Sequence, residues 1–330
     1  MTTLGIGIFG LNGHQLRGKL PARAKLVASA GFDRPADVTS GGKGASFTWL
    51  EGVPHYDSLD AMLADERVQM VSLCSPVREE QAGHAIRCLE AGRHVYAEKP
   101  VAFDEPTLDR ILAAAKVHGR KFRDMADTFN DFPLMQMRRL VAEGFIGEVV
   151  QVFCQKSYPI GSNRPQDEAV DGGLLRQVGI HAVRMIELVS GKRFTGELQA
   201  LETRHTNPGT GHLRIACSGQ SALTGGGIAT FICNYRNPAA GFGQHGNEHL
   251  RLFGTRGFIE TTDGHQRPRL VTTEKYHGPL PPEDHRPPTH LESFVLHCLD
   301  NTPMPFSLED EMHAERVVIH AKHQAKLIEA

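Results

Sequence analysis

The chain has 330 residues, 40% of them apolar and 22% charged, with a formal net charge of -2. That length exceeds what one hydrophobic core usually holds, so two domains are expected. The near-neutral balance, with no basic run anywhere, argues against nucleic acid or a membrane surface as partner.

From the start to about residue 125, short apolar runs alternate with helical periodicity. LGIGIFG, KLVASAGF, MVSLCSP, HVYAEKP and KFRDMAD read as strands, continuously apolar as parallel strands buried on both faces should be. Between them, EEQAGHAIRCLEAG and DEPTLDRILAAAKVHG read as helices, the second with Asp104 as N-cap and Pro106 in its first turn. This alternation predicts an α/β class with a doubly wound parallel sheet of the Rossmann type over residues 1–124. Residues 125–330 change pattern. The helix FPLMQMRRLVAEG leads to the strand GEVVQVFCQKSY and then to a helix through GGLLRQVGIHAVR. Four segments follow without intervening helices: ELQALETRHT, LRIACS, GIATFICNYRN and HLRLFGTRGFIET. Adjacent strands imply antiparallel pairing, so an α+β domain with a large open sheet is expected. After the Pro-rich PLPPEDHRPP, two helices close the chain, the last running through its final residues.

Six cysteines without a C-x-x-C pair, most inside apolar segments, read as buried free thiols. MTTLGIGIFG lacks a basic leader region, and no run of about 18 apolar residues occurs. The expected location is the cytoplasm.

The first strand runs into GIFGLNGHQ, which places Gly7, Gly10 and Gly13 at a strand-to-helix turn. Glycines there let the backbone turn tightly and bring a pyrophosphate against a helix N-terminus. The fit to G-x-G-x-x-G is imperfect, because Asn12 stands at the second glycine and Gln15 at the third. Asn tolerates positive φ, so Asn12, Gly13 and His14 complete a candidate cofactor turn. At the end of the second strand, Asp33 suits the ribose 2′-OH of NAD and Arg34 the 2′-phosphate of NADP, with NAD the expected cofactor and NADP the alternative. Glu98-Lys99-Pro100 ends another strand at the carboxyl edge of the sheet. A lysine there can stabilise, or exchange a proton with, a substrate hydroxyl. In the later helix, Gln177, His181 and Arg184 fall at i, i+4 and i+7 and share one face. GQHGNEHL brings Glu248 and His249 close to His245, but the spacing matches no closed zinc pattern and no metal is expected.

Together, the glycine turn, SLCSP, HAIRCLEAGRHVYAEKP, VAEGFIGEVVQV, GGLLRQVGIH and LRLFGTRGFIE resemble the glucose-fructose oxidoreductase, inositol dehydrogenase and rhizopine catabolism (Gfo/Idh/MocA) family, in the right order over nearly the whole chain. The resemblance implies oxidation of a sugar or polyol hydroxyl, or the reverse, with NAD or NADP. It also implies a homodimer or homotetramer formed through the second domain's sheet. The family's lysine matches Lys99, its strand-end pair over the cofactor Ser75 and Pro76, and its helix histidine His181. The catalytic set so implied is Lys99, His181 and Gln177. Substrate contacts are expected from Lys99, Tyr158, Arg176, Gln177, His181 and Arg184.

Four positions depart from the pattern. Gln177 stands at the family's first helix aspartate and Arg184 at its last; Glu80 stands at a histidine and Phe129 at an arginine. Gln cannot ionise, so the acid's task is lost or moved, while Arg184 offers a fixed cation to a substrate carboxylate or phosphate. These departures keep two alternatives open: a cofactor- and sugar-binding sensor, or an enzyme using bound NAD transiently in a hydrolytic or eliminating cycle.

Overall fold

The computed structural model describes residues 2–18, 20–34, 47–126, 133–161, 163–238, 248–263, 267–283 and 287–329. Its first sheet comprises β1 (Leu4–Phe9), β2 (Ala24–Ala30), β3 (His55–Tyr56), β4 (Met70–Leu73), β5 (His94–Ala97) and β6 (Phe122–Asp124), in the order β3-β2-β1-β4-β5-β6. All neighbours in it are parallel. All six residues of β1 and all four of β4 are buried, which is why these runs carry no polar alternation. The order reverses between β1 and β4, the switch point where doubly wound sheets place ligands. Helices α1 (Leu59–Leu63), α2 (Gln81–Glu90) and α3 (Glu105–Val117) connect the strands. Asp104 caps α3 by accepting the Thr107 N–H, and a proline occupies the first turn.

One expected helix is absent. Among the described residues, the chain between β1 and β2 is irregular. Gly13 and Gly18 both adopt positive φ and Pro21 follows, so no stretch between them is long enough to propagate a helix. Gln15 instead buries its amide, donating to Gly10 O at 2.9 Å and Ser72 O at 3.2 Å and accepting from the Ser72 hydroxyl.

The second part begins with α4 (Leu134–Ala142), β7 (Val149–Ser157), α5 (Glu168–Asp171), α6 (Leu174–Gln177) and α7 (Gly179–Ser190). The strands β8 (Phe194–Thr203), β9 (Ala216–Leu223), β10 (Ile228–Asn234), β11 (His249–Gly254), β12 (Gly257–Thr261), β13 (Arg269–Thr272) and β14 (Tyr276–Pro279) follow. Then come α8 (His290–Asp300), α9 (Leu308–Gln324) and β15 (Lys326–Ile328). The nine-strand sheet has the order β14-β13-β12-β11-β7-β10-β9-β8-β15 and is antiparallel except at β7/β10 and β8/β15. All twelve residues of α7 are buried, as it packs on β7, β10, β11 and α4.

Two expectations are corrected here. The single helix through Gly172–Arg184 is broken: Gly172 and Gly173 take φ of 103° and 78°, and Val178 at φ -108° separates α6 from α7. Gln177 therefore ends one helix, whereas His181 and Arg184 lie in the next. The terminal helix stops at Gln324, after which β15 pairs with β8; Lys322 anchors this end on Glu168 and Glu202 at 2.8 and 2.6 Å.

Packing divides the chain into two compact units: Met1–Ala126 with His290–Leu308, and Asp127–Thr289 with Glu309–Ala330. The expected second domain, 125–330, is thus interrupted. Phe294 and Val295 of α8 pack into the first unit's core with Leu4, Ile6, Met70 and Tyr96, and the Tyr96 hydroxyl meets His290 Nδ1 at 3.1 Å. All six cysteines are free thiols, five of them buried. Among the described residues no helix is long and apolar enough to cross a membrane.

Candidate active site

The glycine turn lies at the carboxyl ends of β1 and β4. Gly10 has φ 70°, and a Cβ there would overlap the Cys74 carbonyl oxygen. Only glycine permits that approach. Gly13, at φ 122°, is pressed against the Glu98 carboxylate, where a side chain would also overlap. Asn12 donates its side-chain amide to Pro76 O at 3.0 Å and its backbone N–H to Cys74 O at 3.3 Å. Asn12 and Pro76 are thus joined at the turn. Gly7 is a correction: it lies inside β1, facing Met62 and Val68, and serves the packing of the sheet rather than the turn.

Beneath the turn is a buried polar network that the sequence did not disclose. Arg78, 1% exposed, donates to Gln81 Oε1 at 2.8 Å and to the Asn12 carbonyl. Gln81 accepts the Ser75 N–H and donates to the carbonyls of Glu98 and Pro100. The buried Ser75 hydroxyl lies 2.9 Å from His84 Nδ1, and burial lowers the pKa of that imidazole. Glu80 is exposed, and its charge partly offsets the effect of burial on His84.

Glu98 joins turn and lysine. Its Oε2 accepts the His14 N–H and sits 2.8 Å from His14 Nδ1, while Oε1 lies 3.4 Å from Lys99 Nζ. Burial alone would raise the Glu98 carboxyl, but Lys99, His14 and Arg78 outweigh it and hold the pKa well below the usual carboxylate range. Lys99 is 2% exposed and has this ionised carboxylate as its counter-ion.

Asp33 is exposed just beyond β2. Arg34 is corrected as a phosphate ligand: its two Nη atoms donate to the Leu50 carbonyl at 2.9 Å and the Val53 carbonyl at 2.5 Å, fixing the turn around Thr48–Leu50. The first unit fits a nicotinamide dinucleotide by its switch point, by a turn that excludes any Cβ at Gly10, and by an exposed acid after β2. Among the described residues it offers the pyrophosphate loop backbone, with no helix dipole between β1 and β2.

In the second unit, His181 is 3% exposed within α7 and Arg176 is 8% exposed at the end of α6. Gln177 is half-buried with both amide ends engaged: Oε1 accepts from Arg164 Nη2 at 2.5 Å, and Nε2 donates to the Asp171 carbonyl. Arg184 does not reach a substrate surface. It is 0% exposed and donates to the Glu311 carbonyl of α9 at 2.7 Å.

Four residues near Gln177 and Tyr158 escaped the sequence reading. Arg164 places Nε 2.9 Å from Asp171 Oδ1, donates from Nη2 to the Tyr235 hydroxyl, and lies with Cζ 3.8 Å from that ring's centroid. Burial raises the Tyr235 phenol well above its ordinary value, so its oxygen is a neutral acceptor. Lys156, 1% exposed, pairs with Glu248 at 2.6 Å and lies 5.3 Å from the Tyr158 ring. Its position was signalled in β7, where Lys156 shares the buried register of Val152 and Cys154. Arg164 and Asp171 lie outside any strand register, and nothing comparable marked them. His249 faces Glu260 at 3.2 Å while Glu248 pairs with Lys156, so these two neighbours are drawn apart. His245 and Phe129 lie outside the described residues.

Residues 38–124 match the model of an oxidoreductase family with an NAD-binding Rossmann fold, and residues 134–260 match the GFO/IDH/MocA C-terminal domain. An uncharacterized oxidoreductase of Rhizobium meliloti is 30% identical over 167 residues, 49% of this chain and 47% of that one. Inositol 2-dehydrogenase of Rhizobium meliloti is 26% identical over 293 residues, 79% of this chain and 81% of the relative. A 3-ketoreductase from Actinomadura kijaniata, solved with NADP and TDP-benzene, superposes with a TM-score of 0.75 at 18% identity, covering 99% of both chains. The chain spans about half the length of the first curated relatives it matches. With two matched domains in order and the six-strand and nine-strand sheets that go with them, this chain belongs to the Gfo/Idh/MocA oxidoreductase family, with an NAD(P)-binding Rossmann domain.

Proposed function

We propose that this protein is a nicotinamide-dependent oxidoreductase that transfers a hydride between its cofactor and a hydroxyl-bearing or keto carbon of a sugar, inositol or related polyol. One observation carries the reading: beside the switch point of the parallel sheet, the buried Glu98 holds both the glycine turn, through His14, and the buried Lys99. When bound, the nicotinamide supplies the site that accepts or donates the hydride. Lys99 holds its ammonium for the oxygen of the reacting carbon and stabilises an alkoxide there. His181 takes the hydroxyl proton on its imidazole. Gln177, with both amide ends engaged, is a positioning residue.

NAD is the preferred cofactor. Arg34 is committed to two carbonyls, while the exposed Asp33 suits a ribose 2′-OH and repels a 2′-phosphate. The partner is a second copy through the nine-strand sheet. Support comes from Val150, Leu201, Ile228, Phe253, Tyr276 and Ile328, which stand exposed on six of its strands.

The test is to follow nicotinamide reduction by the purified protein over a panel of sugars, inositols and sugar acids. Lys99→Met and His181→Asn are each expected to lower kcat by about 10²–10⁴-fold, with the NADH Kd unchanged in His181→Asn. Parent-rate turnover in either variant contradicts that residue's role, and tight cofactor binding without turnover on any substrate favours a sensor.

A further inference from the structure

Arg164 enters the second unit's site as a side chain held on one side and open on the other. Nε faces Asp171 Oδ1 at 2.9 Å, and Nη2 donates both to Gln177 Oε1 and to the Tyr235 hydroxyl. The guanidinium plane rests on the Tyr235 ring, with Cζ 3.8 Å from its centroid. Two of its five N–H groups, both on Nη2, thereby donate to protein atoms and Nε is ion-paired with Asp171, whereas Nη1 has no partner among the described residues. The supports are themselves enclosed: the Asp171 side chain is 4% exposed and Tyr235 1%, against 19% for the Arg164 side chain. A guanidinium fixed on three sides loses little rotamer freedom on binding, so its remaining donor is already oriented for a ligand oxygen.

We propose that Arg164 is the specificity-determining residue of this site, presenting Nη1 to a carboxylate on a sugar-acid substrate, with Asp171 and Gln177 as its positioning residues. The inference rests on the polyol-oxidoreductase reading above and narrows it to acidic sugars. A carboxylate is the fitting group because hydrogen bonds between two ionised partners are roughly twice as strong as neutral ones. Among the described residues, one carboxylate, Asp171, shares the Arg164 charge. Arg184, the cation that the sequence offered for this task, is enclosed against α9 and cannot perform it. The position of Gln177 follows from the same arrangement. An aspartate there would set a second carboxylate on Arg164, whereas the neutral amide accepts one N–H and leaves charge for the ligand.

The experiment measures equilibrium binding of D-glucuronate, D-galacturonate, D-glucose and myo-inositol to the full chain with NADH present, by calorimetry. Parent protein, Arg164→Lys, Arg164→Met and Gln177→Asp are compared, and the NADH Kd of each serves as the folding control. The expected result is a uronate Kd at least tenfold below those of the neutral sugars. That preference should be lost in Arg164→Met, weakened in Gln177→Asp and partly kept in Arg164→Lys. Equal affinity for acidic and neutral sugars in the parent protein, a preference that survives Arg164→Met, or no binding of any sugar overturns the proposal. Arg164-dependent uronate binding, with no NADH formed when NAD replaces NADH, upholds it and counts against the dehydrogenase reading, so the two failures are distinguishable.

Discussion

Gly10 is the residue on which the cofactor turn depends, because it combines a left-handed backbone with an approach to Cys74 O that leaves no room for a methyl group. Gly10→Ala is expected to cost about 1–3 kcal/mol of stability and to weaken NADH binding at least tenfold, read by urea denaturation and fluorescence titration. Unchanged NADH affinity would remove the turn from the binding account. The Glu98–Lys99 pair makes a different demand. Glu98→Gln removes the carboxylate charge beside a buried ammonium, and a loss of about 3–5 kcal/mol is expected in the same denaturation experiment. At this scale the place of Lys99 just beyond the end of β5 was legible from the apolar run before it. Arg34, Arg184 and Arg164 were not, because what an arginine does is set by the carbonyls, rings and carboxylates that tertiary packing brings to it. Arg34 and Arg184 went to backbone carbonyls, and Arg164 lies in a loop with no periodicity to give its direction.

At the scale of elements, β5 joins the polar network to the core and carries a titration of its own. His94 accepts the Lys121 N–H on Nδ1, and burial, reinforced by Arg120 and Lys121, lowers its imidazole to about 4. The unfolded chain takes up this proton below about pH 6.5, whereas the native state resists it until about pH 4. The contribution is therefore complete above pH 6.5 and lost as pH falls toward 4. About 2 kcal/mol is expected after allowance for partial exposure. Denaturation curves across that interval should show the loss in the parent and a flatter profile in His94→Asn; equal slopes would remove His94 as the cause. The same strands were the most legible part of the sequence, since continuous apolar runs have few alternatives. The helix expected after β1 failed because two positive-φ glycines and Pro21 outweigh the periodicity around them. The helix through Gln177 and His181 failed at Val178, where neither composition nor spacing marks a break.

For the molecule as a whole, two units were expected from length and pattern, and the α/β and α+β classes are those observed. The path of the chain between them was not legible. Residues 290–308 return to the first unit because Phe294 and Val295 complete its core, a long-range contact that local pattern does not encode. The central claim, that the first unit binds NAD through its own switch point, is most directly tested by equilibrium titration of the intact protein with NADH and with NADPH. The account predicts that NADH binds at least tenfold more tightly and that Asp33→Ser narrows the difference. Failure of both cofactors to bind, or NADPH binding as tightly as NADH, would contradict it.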